Sequence, residues 1–484
     1  MPTSENSALS VSQLRKIASY QLDQLPAVVI ELGEVFANAG FELALVGGPV
    51  RDLFLARPTH DLDFATSAHP DDTERLLAAW GDTHWAIGKE FGTIGAKKGE
   101  TIVEVTTYRT DEYDPSSRKP LVQYGDTLEG DLTRRDFTVN AMAVRLPSRE
   151  FVDPCGGLPD LAAMVLRTPI EPERSFDDDP LRIMRAARFA AQLGFDVEPH
   201  TMAAMEKLAP RLAIVSPERI QAELTRLMTA TWPRRGLELM VYTGVADLVL
   251  PELANLRQTQ DEHNRHKDVY EHTLTVLDQA IALETGPDGP VPGPDFVLRF
   301  AALMHDVGKP ATRRFEPGGQ VSFHHHEVVG AKMTRKRMRE LRFDKQTTKD
   351  VSRLVELHLR FHGYGDQAWT DSAVRRYVTD AGPLLERLHR LTRADCTTRN
   401  RRKANRLAAA YDDLERRIDE LAEAEELAKI RPDLTGNDIM AILGIPPGPE
   451  VGAAYKFLLE HRMEHGPMSR EDAEKTLRAW WEAR

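Results

Sequence analysis

The period of the apolar positions changes along the chain. Between about residues 25 and 165 it shifts from segment to segment. FELALVGG (Phe41 to Gly48) and TIVEVTTYR (Thr101 to Arg109) are β-branched and alternating, which predicts strands. HPDDTERLLAAWG (His69 to Gly81) predicts a helix that opens on acidic residues and closes at Gly81. RTDEYDPSSRKPLVQYGD (Arg109 to Asp126) has neither period and reads as a polar, mobile loop. After about residue 175 strand signals stop and helical periodicity runs on, interrupted by the Pro/Gly-rich connection ETGPDGPVPGPD from Glu284 to Asp295. No internal repeat is visible. The pattern predicts an α+β protein: a small mixed α/β head followed by an all-helical body.

Composition narrows this picture. A chain of 484 residues is expected to hold two to four domains with real cores. Two cysteines, Cys155 and Cys396, are too few for a disulfide framework and suit a reducing compartment. The start, MPTSENSALS, lacks a basic region followed by an apolar run, and no apolar stretch is long enough to span a membrane. A cytoplasmic protein without membrane association is the expectation. The net charge of −12 does not announce a nucleic-acid binder, but local basic faces decide that question. Lys332 to Lys345 carries seven basic residues against two acidic ones, and Arg393 to Arg406 six against one. Either segment alone also fits a solvated helix face.

The chemistry begins at LVGGPVRDLFLARPTHDLDFAT, Leu45 to Thr66. On a strand, Asp61 and Asp63 project from one face, where they repel unless a cation joins them. Mg²⁺ favours one or two carboxylates together with phosphate oxygens. Glu104, between two valines of TIVEVTTYR, is the candidate third carboxylate of a two-metal site for phosphoryl or nucleotidyl transfer. Gly47 and Gly48 let backbone amides approach a phosphate, and Arg51 adds charge there. A lone Asp-x-Asp is usually a turn or cap. The preceding Gly-Gly-x-x-Arg-Asp makes this one unusual.

GGPVRDLFLARPTHDLDFAT resembles the signature of the class II tRNA nucleotidyltransferase and bacterial poly(A) polymerase family, with Pro49 where that family commonly has Ala. EVTTYR, GDLTRRDFTVNAMA, VDPCGGLPDL, DDPLRIMRAARFAAQLGF and SPERIQAELTRLM follow in the family's order, so the likeness runs from about residue 25 to 250. It implies a polymerase-β-like sheet in the head and a third carboxylate at Glu104, with Arg109 following it. Among Arg134, Arg135, Asp136 and Asn140, it implies that Arg135 meets the triphosphate while Asp136 and Asn140 orient the sugar. Helix capping is the alternative for Asp136. In SFDDDPLRIMRAARF, Asp179 suits an N-cap and Pro180 the first helical position. Three-residue spacing brings Asp179, Arg182 and Arg185 near one face, as a salt-bridge ladder also would. The family likeness makes Asp179 and Arg182 readers of the incoming base, with Asp178 in place of the family's Glu. Ionised Asp only accepts hydrogen bonds and Arg only donates them.

A second constellation lies further along: His272 in YEHTLTVL, His305 and Asp306 in AALMHDVGKP, His326 in FHHHEVVGA, His358 in ELHLRFH and Asp395 in RADC. Imidazole and carboxylate suit transition metals. The order resembles the HD phosphohydrolase domain. His272, His305, Asp306 and Asp395 form its minimal site, and His326 and His358 extend it toward a second metal. His324, His325 and His362 are weaker candidates. Ni²⁺ or Mn²⁺ is the expected ion, and hydrolysis of 2′,3′-cyclic and related phosphates the expected chemistry. LTGNDIMAILGIPPGPEVGAAYKFLLEHR, from Leu434, resembles the family's C-terminal body or tail and also fits a plain helical core.

The expected division is a catalytic head at 25–165, a helical neck and body at 166–260 for base and RNA binding, an HD domain at 261–400 and a helical tail at 401–484. The expected activity is addition of CCA to the tRNA 3′ end from CTP and ATP, with Mg²⁺ in the head. A poly(A) polymerase of the same family is the nearest alternative. A CC-only enzyme, disfavoured by the full-length loop before GDLTRRDFT, an HD phosphohydrolase with a silent head and a non-catalytic RNA-binding protein are the others.

Overall fold

The computed structural model describes residues 9–58, 62–112, 121–258, 269–317, 321–361, 364, 369–398, 400–425 and 431–484. Asp61 and His362 therefore lie outside the described residues. The chain forms two compact units, Met1–Pro251 and Glu252–Arg484.

In the first unit the strands are β1 (Leu43–Val46), β2 (Leu62–Thr66), β3 (Thr83–Trp85), β4 (Thr93–Lys98), β5 (Thr101–Thr107), β6 (Arg109–Glu112), β7 (Leu121–Tyr124), β8 (Ala143–Leu146) and β9 (Glu150–Val152). Seven of them form one sheet in the order β3-β4-β5-β2-β1-β8-β9. Strand β1 is buried at all four positions. Its Ala44 and Val46 join Ala65, Tyr108, Leu128 and Leu132 in one apolar cluster. Strand β5 keeps the alternation read from its sequence: Val103, Val105 and Thr107 face inward and Glu104 outward. Each fully buried valine of this kind contributes roughly 1.5–3 kcal/mol.

The predicted helix spans Pro70–Trp80 and ends at Gly81. The expected polar loop is in part a hairpin, because β6 and β7 pair antiparallel from Arg109–Tyr124 to Glu112–Leu121. Arg109–Glu112 is polar throughout, so no hydrophobic period reveals that ladder. Residues 113–120 between these strands are not described. Strand signals also do not end at residue 175: β10 (Val165–Leu166) pairs with β11 (Asp196–Val197). In the second unit β12 (Arg314–Phe315) pairs with β13 (Val321–Ser322). Two-residue ladders are too short to carry a period.

Among the described residues, most of the rest of the second unit is helical. Helices Val269–Ala282, Phe296–Met304, His326–Glu340, Lys345–Leu357 and Leu385–Asp395 build one body. Farther along, Gly436–Leu443, Pro449–His465 and Arg470–Glu482 close a small core of Leu434, Ile439, Ala454, Leu458, Ala473 and Leu477. Among the described residues, no helix is long and apolar enough to cross a membrane.

Candidate active site and metal centre

Strand β1 ends in Gly47, whose φ of +74° a side chain would strain, and the helix Gly48–Phe54 starts at once. This turn forms one wall of a cleft of about 480 Å³. Beside it, β2 and β5 run parallel with Asp63 directly opposite Glu104. Both carboxylates are exposed on that face while Leu62, Phe64, Val103 and Val105 are buried. Asp63 lines the cleft; Glu104 is its strand neighbour and is not among the lining residues.

The cleft is an arginine site. Its lining includes Arg51, Arg109, Arg134, Arg135, Arg182, Arg185 and Arg188, against Asp63, Asp136 and Asp179. Seven guanidiniums in one concavity repel, so their counter-charges matter. Arg51 donates to Asn140 Oδ1 at 2.6 Å and to Asp52 at 2.9 Å. Asp136, almost fully buried, accepts from Asn140 at 3.0 Å, from the Phe137 amide at 2.8 Å and from Arg185 at 2.7 Å. Burial alone would raise its pKa, but Arg185 and the Asn140 amide outweigh that and hold it at about 2. Both Asp136 oxygens are engaged, so the group sets Arg185 and Asn140. Asp136 nevertheless lines the cleft, where the sugar contact was expected of it.

Asp179 and Arg182 enter the cleft from the start of the helix Leu181–Leu193. The helix begins after Pro180, one residue later than expected, so Pro180 and not Asp179 is its N-cap; Asp179, just outside, accepts from the Leu181 amide at 3.2 Å in a local turn. Arg182 turns inward, donating to Ser175 Oγ at 2.7 Å and to the Arg134 carbonyl at 2.5 Å. Asp178 is not among the lining residues. Gly47, Gly48, Arg51, Asp63, Arg109, Arg135, Asp136, Asn140, Asp179, Arg182 and Arg185 are thus brought together.

Sequence reasoning missed Arg188 and Phe189, and it gave Arg134 no role of its own. Arg182, Arg185 and Arg188 share one three-residue spacing, which was signal enough to extend the ladder by a step. Arg188 pairs with buried Glu223 at 2.5 Å. The Phe189 ring sits beneath Arg188 at 3.9 Å, with Arg51 at 5.5 Å and Arg185 at 5.7 Å. One aromatic face thus helps to hold three like charges.

The second unit gathers all six expected ligands at helix ends. His305 and His358 follow the last residues of their helices, His326 opens one, and Asp395 closes another. His272 Nε2 stands 3.0 Å from Asp395 and 3.5 Å from Asp306. His305 Nε2 and His326 Nε2 each stand 3.2 Å from opposite oxygens of Asp306. Three rings are held through Nδ1 by backbone carbonyls: His305 by Ala302 at 2.8 Å, His326 by Phe323 at 2.9 Å and His358 by Val355 at 2.7 Å. This turns every Nε2 toward the centre. His305 Nε2, His358 Nε2 and Asp306 Oδ2 are buried there without hydrogen-bond partners, which suits a metal site. His272, His305 and Asp306 make one ligand trio and Asp306, His326 and His358 a second. Burial and neighbouring His305 hold His358 neutral, at about 3. Burial opposes charge on His305 as well, yet Asp306 and Asp395 draw a proton to it and raise it to about 10. The same carboxylates attract any cation. His324 and His325 join neither trio.

Three family models match the chain: a poly A polymerase head domain at residues 43–167, a probable RNA- and SrmB-binding site of polymerase A at 194–256, and an HD domain at 269–400. The head and HD matches imply use of divalent metal. An A-adding tRNA nucleotidyltransferase of Deinococcus radiodurans is 34% identical over 450 residues, covering 91% of this chain and 95% of its own. A CC-adding tRNA nucleotidyltransferase of Thermus thermophilus is 33% identical, covering 90% and 93%. A CCA-adding enzyme of Streptococcus pneumoniae is 41% identical over 253 residues, which is 51% of this chain and 61% of that protein. The solved Bacillus stearothermophilus CCA-adding enzyme in complex with CTP shares the fold with a TM-score of 0.67 at 24% identity, covering 94% of this chain and 97% of its own. With a third of its residues shared along nine-tenths of its length, this chain belongs to the tRNA nucleotidyltransferase family, in a form that joins a poly(A) polymerase-type head to an HD domain.

Proposed function

We propose that the chain adds CCA to tRNA 3′ ends, taking CTP and ATP in turn. One observation carries this reading: a triphosphate-sized arginine cleft contains both Asp63 and, from more than a hundred residues later, Asp179 and Arg182. Guanidiniums bind phosphate oxygens in forked pairs, so Arg51, Arg109, Arg134 and Arg135 suit the triphosphate. Asp179 offers only acceptors and Arg182 only donors. Together they can match the exocyclic amine and ring nitrogen that cytosine and adenine both present. Phe189 and Glu223 fix the helix face from which Arg185 and Arg188 reach the cleft. Asp63 and Glu104, with Asp61, would hold Mg²⁺, which supplies activation of the RNA 3′-hydroxyl and charge compensation as pyrophosphate leaves. The segments 25–165, 166–260, 261–400 and 401–484 divide the labour as head, neck, HD domain and tail. The unpaired Cys155 and Cys396 support a cytoplasmic setting.

The relatives that match over the full length add A in one case and CC in the other. The decisive assay therefore offers tRNA ending before CC, before the second C, and before A, with CTP and ATP singly and together. Completion of all three, stopping after CCA, is expected. Extension only of the last substrate would make this an A-adding enzyme, and arrest after CC a CC-adding one. Continued A addition would make it a poly(A) polymerase.

A second activity is supported by the unpartnered Nε2 atoms of the histidine centre. His272, His305, Asp306 and Asp395, with His326 and His358, would hold Ni²⁺ or Mn²⁺, which supplies an activated water for phosphoester hydrolysis. Hydrolysis of 2′,3′-cyclic AMP that disappears in Asp306→Ala is expected; no turnover with Ni²⁺, Mn²⁺ or Mg²⁺ would overturn it.

A further inference from the structure

Asp131 does not line the cleft, yet three cleft arginines converge on it. It lies in the helix Leu128–Thr133 and is 1% exposed. One oxygen accepts from Arg134 Nη2 at 2.6 Å and Arg134 Nε at 3.1 Å, and also from the backbone amide of Arg109 at 3.3 Å. The other accepts from Arg135 Nη2 at 3.0 Å. The Arg134 carbonyl in turn accepts from Arg182. Arg135 also flanks the glycine turn: a Cβ added to Gly47 would stand 3.0 Å from Arg135 Nη1. A single buried carboxylate is therefore bonded to two guanidiniums and to the first residue of β6. Through one carbonyl it also reaches the arginine assigned to the base.

We infer that Asp131 is a positioning residue of the nucleotide site, one that touches no substrate and aligns Arg134 and Arg135 for the phosphates. The inference rests on the proposed nucleotidyl transfer. Two physical effects oppose each other here. As a negative charge, Asp131 weakens the pull of the cleft on a triphosphate. As an anchor, it keeps two long side chains from having to be ordered when the nucleotide binds. The cleft is open to solvent, which screens the first effect, whereas the hydrogen bonds behind it are buried and keep their strength. Anchoring should win.

The two effects predict opposite signs in Asp131→Asn. Positioning requires KM for CTP and for ATP to rise together by about tenfold, with kcat falling by less than about threefold and the CTP-to-ATP preference held within about twofold. Plain charge compensation requires both KM values to fall. A merely structural role lowers the melting temperature and the active fraction with KM unchanged, and either result overturns the inference. A double-mutant cycle sharpens it: in an Arg134→Gln/Arg135→Gln background, Asp131→Asn should raise KM by no further factor. Equilibrium binding of ATP and of inorganic tripolyphosphate supplies a readout apart from transfer, and both should weaken by the same factor as KM. If the wild type binds ATP but transfers nothing to tRNA, the proposed function fails while the binding comparison still judges Asp131. If the wild type binds neither ligand, both fail. Should Asp131→Asn not fold, Arg134→Gln and Arg135→Gln are each compared. Uniform weakening toward CTP, ATP and tripolyphosphate supports the inference; a base-selective change or none overturns it.

Discussion

Asp136 in the cleft of the first unit and Asp306 in the histidine centre of the second are 7% and 2% exposed, and burial serves them differently. Asp136 is saturated by Arg185, Asn140 and a backbone amide. Asp306 Oδ2 lacks a hydrogen bond and is balanced by an ion pair with Lys309 Nζ at 2.9 Å. The cleft commits Asp136 to one of its own arginines and, with seven lining arginines against three aspartates, keeps a positive surplus, as a site for a mobile polyanion should. In the centre, the Nε2 of neutral His358 and Asp306 Oδ2 make no hydrogen bond, as a site for a cation should. Polar satisfaction, more than sign of charge, separates a substrate cleft from a metal centre here.

Three variants try to break that contrast. The largest effect is expected for Asp63→Ala, which should lower incorporation of labelled ATP and CTP into tRNA lacking its 3′ end by roughly 10³-fold or more. Metal content of the histidine centre should not change, and a loss there would show that the two sites are not separable. Next comes His358→Ala. It deletes a neutral, buried Nε2 of the proposed ligand set and should weaken retention of Ni²⁺ or Mn²⁺ against a chelator by about a hundredfold. Undiminished retention would remove His358 from the ligand set.

The third variant, Asp136→Asn, tests the saturated carboxylate through stability. Its pKa is depressed to about 2 from an ordinary 3.8. A depressed carboxylate contributes stability above its unfolded pKa and loses it as pH falls through its folded pKa. The contribution should be about 2–3 kcal/mol at pH 5 and above. The difference in unfolding free energy between wild type and Asp136→Asn should therefore be full at pH 5, shrink below pH 4 and vanish below pH 2. A pH-independent difference would mean that packing, and not the Arg185 pair, is what the substitution removes.

The parts of these sites that were legible in the sequence are those whose spacing is itself chemical. Gly47-Gly48 before Arg51, the outward Asp63 and Glu104 on alternating strands, and the Asp179–Arg182–Arg185 step each follow from strand or helix period. The His-Asp pair at 305–306 and its partners were also readable as residues that would meet in one centre. Asp131, Phe189 and Glu223 were not, because their work is done through tertiary contacts that no local period encodes. Asp131 lies in the first turn of a short helix, where acidic residues are common, and Phe189 is one of many buried aromatics. The β6–β7 hairpin stayed hidden because Arg109–Glu112, polar throughout, carries no hydrophobic period.

The smallest expected effect asks what holds the histidine centre in shape. His358 follows the helix Lys345–Leu357, whose N-terminus is capped by Asp344 accepting from the Thr347 amide at 2.9 Å. Asp344→Ala removes that cap and should cost about 1 kcal/mol of stability. The far end of the helix, however, is fixed by buried Val351, Leu354, Val355 and Leu357, and His358 Nδ1 is tied to the Val355 carbonyl. Fraying of the first turn need not travel three turns through that packing. The variant should therefore melt slightly earlier while retaining Ni²⁺ or Mn²⁺ as tightly as the wild type. Parallel loss of stability and metal would show that the centre depends on the whole helix, and its rigidity would then be a property of the polar cap as much as of the core.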